Sequence, residues 1–576
     1  MKSKHLRYNE ITNTDSIKTG DIIEIRDFLP YIKNTESIDT IPWETKEYYL
    51  INGTHGNMLS VDAVLPITPE TPYDSIDFST KGMPEVITID LKLEGKYAIW
   101  AGSAAIDLAL DDEGFTAVVL ESGGRYGRRI GIEEGREYLV FWKNAELKST
   151  KLHIRIPYGT FPSTPSVKAS LSCLRFIKLS EDADLAPVPG EADRDFILVI
   201  DGFSHYSTYG TPGECFDLRL SHVYENTDVK ILMPQVMGPL LWKSEVNSYL
   251  GEGVTPDKYS GKRIGDVRVF KYVEDSIKNG YDVLRVLPED CHRRGMEVHF
   301  SIRANLYFNP DDDFFLKGVG DLNGRWWTEH PEVRRPGELQ LDYGKPEVRE
   351  YYLSVFRDVL EKFDIDGINL DLTRWPKVFD PRYNSPDVLI DFCRELRKLA
   401  DSFGEKRGKH IQVSLLMVEY YHSGCTLEEQ AIDFTGLMKS GTLDFVCIQT
   451  NEPEKYAAIA HQYGVKFMGI VDGCTPYYNH NDDDPLWKLP DGSITTDPRA
   501  GQEFKKEKFV GTVQAPFEKI RLMDMYYENG ADGIAAVNLF MGSLYIRSCG
   551  HSEIVRQHAE NGTVFGQIPG EYIFFV

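Results

Sequence analysis

Residues 346–374, PEVREYYLSVFRDVLEKFDIDGINLDLTR, join a helical pattern to a buried-strand pattern, and that order decides the fold. In the first half Val348, Tyr352, Val355, Val359 and Phe363 recur at helical spacing, and Pro346 suits a first turn, where no N–H is needed. The second half, GINLDLTR (367–374), is a short apolar run ending in polar residues, as a strand covered on both faces does. The same strand type recurs as FILVIDGF (196–203), VKILMPQV (229–236), EVHFSIRANLY (297–307), IQVSLLMVEY (411–420), LDFVCIQTN (443–451), VKFMGIVDG (465–473) and GIAAVNLF (533–540). Helical patterns lie between: Ser385-Pro386 opens DVLIDFCRELRKLA, and Thr426 with Glu429 makes a capping box before AIDFTGLMK. The predicted class is therefore α/β, with eight such units closing into a (β/α)8 TIM barrel. A doubly wound open sheet is the alternative, but no glycine-rich phosphate loop follows the first strand.

Upstream the periodicity changes. VITIDLKL (86–93), KYAIWAG (96–102), AIDLALDD (105–112), FTAVVLES (115–122), REYLVFWKN (136–144), TKLHIRIP (150–157) and ASLSCLRFIKL (169–179) follow one another without helices. Such a run over residues 86–180 predicts an N-terminal all-β sandwich, either a structural companion or a sugar-binding module. Residues 1–85 mix strand-like DIIEIRDFL and YYLING with turn-rich TIPW and PITPETPYD, and no function is assigned to them. Residues 181–194, EDADLAPVPGEADR, read as an acidic, proline-bearing linker, which leaves 195–576 for the barrel and a C-terminal extension.

At 576 residues the chain is too long for one hydrophobic core. Its 89 acidic and 64 basic residues give a formal charge of −25, which repels phosphate backbones and argues against nucleic acid as a partner. The start, MKSKHLRYNEITNTDS, has no apolar segment of the secretory kind, and no 18 apolar residues run together. A cytoplasmic protein with no membrane partner is the expectation. Eight cysteines without a C-x-x-C pair read as reduced thiols. No cofactor and no metal is expected, although the acidic turns at 311–313 and 481–485 have oxygen donors for calcium. The oligomeric state, a homo-oligomer included, is open.

In a barrel the working residues stand at the C-terminal strand ends and in the loops beyond. Those ends carry Asp201 and His205; Gln235; Arg303 and Asn305; Asp371 and Arg374; Glu419; Gln449 and Asn451; Asp472; and Asn538. Converging on one mouth, they would bind a molecule rich in hydroxyls. The long stretches 308–341 and 473–511 add Trp326, Trp327, Tyr477 and Trp487, rings able to stack on a sugar face. Asp366 and Asp532 precede their strands and read as turn residues at the opposite end.

Three stretches carry a resemblance: YDVLRVLPEDCHRRGMEVHFSIRANLYF (281–308), LDYGKPEVREYYLSVFRDVLEKFDIDGINLDLTRWP (341–376) and NGADGIAAVNLF (529–540). Residues 196–540 are similar to the glycosyl-hydrolase-like family ten barrels. That resemblance implies a (β/α)8 barrel that processes carbohydrate, with no particular sugar specified. Glycoside hydrolysis needs two carboxyl groups. Asp371 is the first candidate, as base or nucleophile, and Glu419, amid apolar residues and tyrosines, is read as the acid. Asp472 is the alternative from across the pocket, and Asp201 suits a binding role. A glycan-binding barrel without chemistry, and a sugar lyase or isomerase, remain open as readings of the same pocket.

Overall fold

A computed structural model describes residues 4–32, 38–43, 46–52, 86–104, 106–118, 136–155, 168–186, 190–201, 224, 227–253, 270, 273–280, 283–305, 307, 322–374, 377–379, 384–419, 425–472, 487–488, 494–495, 516–537, 546–561 and 567–575. Among the described residues eleven strands precede the barrel. They are β1 (His5–Arg7), β2 (Ile22–Ile25), β3 (Ile38–Trp43), β4 (Lys46–Asn52), β5 (Ile87–Asp90), β6 (Glu94–Ala104), β7 (Ile106–Leu110), β8 (Thr116–Val118), β9 (Arg136–Lys148), β10 (Lys151–Arg155) and β11 (Lys168–Lys178). The seven strands read from residues 86–180 are β5 to β11. They divide between two sheets, one ordered β5-β10-β7-β8 and a larger one containing β11-β6-β9. Tyr97, Trp142 and Phe176 of the larger sheet share an apolar cluster with Ile89, Leu108 and Leu152 of the smaller.

The barrel strands are β12 (Asp195–Asp201), β13 (Val229–Val236), β14 (Glu297–Arg303), β15 (Gly367–Asp371), β16 (Gln412–Val418), β17 (Phe445–Gln449), β18 (Lys466–Asp472) and β21 (Gly533–Val537). They are parallel and closed, β21 pairing with β12; seven lie within their predicted runs, and β12 starts one residue before its own, at Asp195. Two short strands, β19 (Trp487–Lys488) and β20 (Ile494–Thr495), pair within the stretch after β18. The last strand, β22 (Gln567–Phe575), pairs with β9, while β2 and β4 pair with β11. Both ends of the chain thus add strands to the larger N-terminal sheet.

The helices used below are α1 (Val283–Arg293), α2 (Arg325–Glu329), α3 (Pro346–Lys362), α4 (Asp387–Arg407), α5 (Phe434–Lys439) and α6 (Pro453–Gln462). Pro346 stands in the first turn of α3, where the sequence put it. The Thr426–Glu429 box forms with reciprocal bonds of 2.8 and 3.2 Å, but it closes a short 3-10 turn. Helix α5 starts later, where the Asp433 side chain accepts from the Gly436 N–H. Among the described residues no helix is long and apolar enough to cross a membrane.

Alternation along the strands sorts side chains into an inner set and an outer set. Ile197, Val199, Ile231, Met233, Leu416, Phe445, Cys447, Met468, Ile470, Ala535 and Val537 form a cluster of their own, the barrel interior. The alternate residues, such as Leu198, Leu232, Leu415, Met417, Val446 and Ile448, join the larger cluster with Val355, Val359 and Leu396 of the helices. Strands β14 and β15 break the apolar interior. The His299 ring fills the space beside Gly367, where an added Cβ would lie 2.6–2.7 Å from it. One step higher the buried Ser301 hydroxyl donates to Asn369 (2.8 Å), whose amide donates to Ser414 (2.8 Å).

The lower rim is closed by a repeated device. Asp366, before β15, accepts the Val298 N–H of β14 at 2.9 Å and meets His292 at 2.7 Å and Lys409 at 2.9 Å. Asp444, before β17, accepts the Val413 N–H of β16 at 2.7 Å and pairs with His410 and Arg397. Asp532, before β21, accepts the Phe467 N–H of β18 at 2.8 Å and meets His461. Each of these three strands is thereby pinned to the strand before it. Burial opposes the charge of Asp366, but Lys409, the Val298 N–H and His292 outweigh it and hold the carboxyl below the usual aspartate range. A depressed folded value contributes stability above the unfolded value, and that contribution is lost as pH falls through the folded one. Asp366→Asn is expected to lower the unfolding free energy by about 1.5–3 kcal/mol at neutral pH. Urea titrations from pH 7 to pH 3 should also give a shallower acid decline than in the parent; an unchanged slope would contradict the assignment.

Candidate active site

Asp371 ends β15 on the inner side of the strand and is buried. One carboxylate oxygen, Oδ1, accepts from the Thr373 N–H (2.7 Å) and the Thr373 hydroxyl (2.6 Å). The other, Oδ2, accepts from the Gln235 amide nitrogen at 2.5 Å. The Arg303 guanidinium lies 3.7 Å from that same oxygen, and both side chains are buried. Register explains the meeting: Arg303 pairs with Asp371 across β14 and β15, and Gln235 pairs with Ser301 across β13 and β14. In each of these hydrogen bonds the carboxylate is the acceptor. Both oxygens are thereby fixed in place, and an ionised carboxylate so placed can take a proton or attack carbon.

Glu419 is placed differently. Sequence reading paired it with Asp371 on the premise that both point into one mouth. Alternation turns it the other way: Leu416 faces the interior, whereas Leu415 and Met417 face the helices, and Glu419 continues the latter set. Its carboxylate accepts from the Tyr456 hydroxyl of α6 (2.6 Å) and from the Thr450 hydroxyl (2.8 Å), all three groups being buried. Burial, and then the Glu419 carboxylate, push the Tyr456 phenol up, so it remains a donor. The site binds α6 to the end of β16.

Asp201 and Asp472 end β12 and β18 at register positions two residues beyond the inward Val199 and Ile470. Asp201 pairs in register with Gln235, and Asp472 with Val537. Gln449 is buried at the end of β17, and Asn451 is half-buried just beyond it. Arg374 is half-buried after β15, and the ion-pair partner of Asp371 is Arg303. Asn305 donates to the Lys377 carbonyl at 3.2 Å, tying the stretch after β14 to that after β15. His205, Tyr477 and Asn538 lie outside the described residues, and Trp487 is described only as part of β19.

The tryptophans of α2 pack the rim. Trp327 is buried, stacks on Tyr307 (5.9 Å between centroids), carries the Arg334 guanidinium over its ring and donates its indole N–H to the Leu339 carbonyl at 2.8 Å. Trp326 stacks on Tyr351 at 4.1 Å, and its backbone N–H donates to the Asn247 amide oxygen at 3.0 Å. Buried Asn247 also donates to the Gly238 carbonyl and the Tyr351 hydroxyl, both at 2.7 Å, so it locks α2 over the end of β13. These contacts account for both rings as rim packing. Sequence reading did not pick out Thr373, Asn247 or the Ser301–Asn369–Ser414 chain. Thr373, two residues after Asp371, has the spacing of a local side-chain turn. The polar chain was visible as inward polar residues in otherwise apolar strands. Among the described residues no group of three His, Cys, Asp or Glu side chains is arranged to hold a metal ion.

No family model matches the chain. A stretch of 104 residues is 29% identical to glycosyl hydrolase DigH of Escherichia coli (strain K12), covering 16% of this chain and 22% of that one. A stretch of 107 residues is 31% identical to maltogenic alpha-amylase of Bacillus acidopullulyticus, covering 16% and 18% respectively. The chain thus spans about a fifth of the length of the curated relatives it matches. Among solved structures it resembles catalytic domain 2 of a Group II chitinase of Ostrinia furnacalis, with 11% identity, a TM-score of 0.35, and coverage of 66% of this chain and all of that one.

The Glu419 arrangement has a direct test. Tyr456→Phe deletes one of two donors to a buried carboxylate and is expected to cost about 1.5–3 kcal/mol of unfolding free energy, read by denaturant titration. Parent-like stability would show that the bond contributes nothing.

Proposed function

We propose that the chain is a glycoside hydrolase of the glycosyl-hydrolase-like family ten type, acting on an oligosaccharide or glycoside at the mouth of the barrel. The observation that carries the reading is Asp371: a buried carboxylate at the C-terminal end of the fourth barrel strand, held by Gln235, Thr373 and Arg303. That end of a parallel barrel is where catalytic groups gather. The stretch of likeness to a named glycosyl hydrolase, and the motif around residues 341–376, support the same class.

In this reading Asp371 is the base or nucleophile. The acid is Asp472, which ends the seventh barrel strand at an inward register position. Asp201, His205, Gln235, Arg303, Asn305, Arg374, Gln449, Asn451 and Asn538 would supply polar contacts to the sugar. Tyr477 and Trp487, in the stretch after β18, would supply aromatic faces. Glu419 is assigned to holding α6, because both its oxygens are engaged there. Residues 86–180, with the strands added from either end, would form a β-sandwich companion that supports the barrel or binds glycan.

Asp371→Asn keeps the shape and removes the charge, and it is expected to lower kcat by about 10²–10⁴-fold with the fold intact. Asp472→Asn should impair cleavage of substrates with poor leaving groups while sparing activated aryl glycosides, which need little acid assistance. Assays against a panel of 4-nitrophenyl glycosides and underivatised oligosaccharides, with circular dichroism as the check on folding, decide both. Parent-like turnover by Asp371→Asn would remove the hydrolase reading and leave a glycan-binding barrel. Equal losses on both substrate types would remove Asp472 as the acid.

A further inference from the structure

Gln235 has two polar atoms, and only one is satisfied. Its amide nitrogen donates to Asp371 Oδ2 at 2.5 Å. The opposite orientation of the amide would set two oxygens against each other, so the Asp371 carboxylate fixes which atom faces it. The amide oxygen is therefore turned elsewhere, and there it is buried with no hydrogen-bond donor among the described residues. The whole side chain is only 2% exposed. A buried acceptor without a donor costs folding free energy, and that cost is tolerated where a ligand completes the bond.

The donors nearest in register are already committed. The Ser301 hydroxyl, beside Gln235 across β13 and β14, donates to Asn369, and the Asn369 amide donates to Ser414. Gln235 lies on the inward side of β13, with Ile231 and Met233 below it, one residue from the C-terminal end of the strand. An apolar ligand cannot satisfy the oxygen. A sugar hydroxyl, or the N–H of an acylamino sugar, can.

We infer that Gln235 works on both sides of the reacting subsite: its nitrogen positions Asp371, and its oxygen accepts a hydrogen bond from one donor on the substrate sugar. The inference rests on the hydrolase reading above and deepens it, because it makes the enzyme select for a sugar bearing that donor. A site built to bond a hydroxyl discriminates strongly against the analogue that lacks it. Loss of the positioning bond alone lowers turnover for every substrate alike. Loss of the oxygen's bond lowers it for one hydroxyl only.

The test is a cycle between protein and substrate, using the intact chain. Parent and Gln235→Met are assayed on a glycoside that the parent cleaves and on its monodeoxy analogues, with the des-acylamino analogue added for an amino sugar. For one position the missing donor should cost the parent about 10–100-fold in kcat/KM, and Gln235→Met under about threefold. Losses that simply add at every position would mean that a bound water only satisfies the oxygen, and would overturn the inference. If Gln235→Met does not fold, Gln235→Asn, which retains an amide on a shorter stem, is run through the same cycle with the same criterion. Asp371→Asn serves as the separate control. If it keeps parent-like turnover the hydrolase reading fails, whereas additive losses beside an inactive Asp371→Asn remove the Gln235 inference alone. A parent that neither cleaves nor binds any glycan of the panel overturns both.

Discussion

Each residue of a strand in the closed barrel has one of two destinations, the axis or the helix layer, and successive residues must alternate between them. The site depends on that constraint. It sends Asp371 inward, where Gln235, Thr373 and Arg303 surround it, and it sends Glu419 outward to Tyr456 and Thr450. Both residues are buried carboxylates at the ends of adjacent strands, so burial and strand position cannot separate them. Their facing does, and the different partners give each a different task.

The two ends of the barrel divide the work. Below, Asp366, Asp444 and Asp532 each take a backbone N–H from the preceding strand and a cationic or imidazole partner, closing the rim strand by strand. Above, Asp371 accepts from Gln235 on β13 and from Thr373 in its own loop, with the Arg303 guanidinium of β14 3.7 Å away. The axis between is apolar along most of the wall and polar from β14 across β15 to β16, where Ser301, Asn369 and Ser414 form a continuous chain. Such a chain is fully useful only with every member satisfied, and it gives Gln235 and Asp371 a rigid floor.

Much of the barrel was legible because its strands are apolar runs too short for helices, spaced by helical periodicity. The seven strands of residues 86–180 were equally plain from turn residues and alternation. Pairing between β22 and β9, across more than four hundred residues, leaves no local signal in either segment. Facing was the hardest feature to read. In IQVSLLMVEY both faces are apolar, so the run does not announce which residues turn inward. Ser414 was the one clue there: a polar residue in a buried strand has to meet another polar group, and Glu419, five residues on, has the opposite facing. Asp371 read correctly as a strand-end carboxylate, but Gln235 and Arg303 reach it from β13 and β14, whose register with β15 only the folded barrel fixes.

The central claim is that Asp371 stands beside the bond that breaks. A crystal structure of Asp371→Asn with an uncleaved oligosaccharide tests it most directly. The expected result is a glycosidic linkage at the mouth, with the residue-371 side chain about 3–3.5 Å from the anomeric carbon or from the water poised to attack it. A sugar chain seated elsewhere on the molecule, with position 371 remote from every glycosidic bond, would contradict the account.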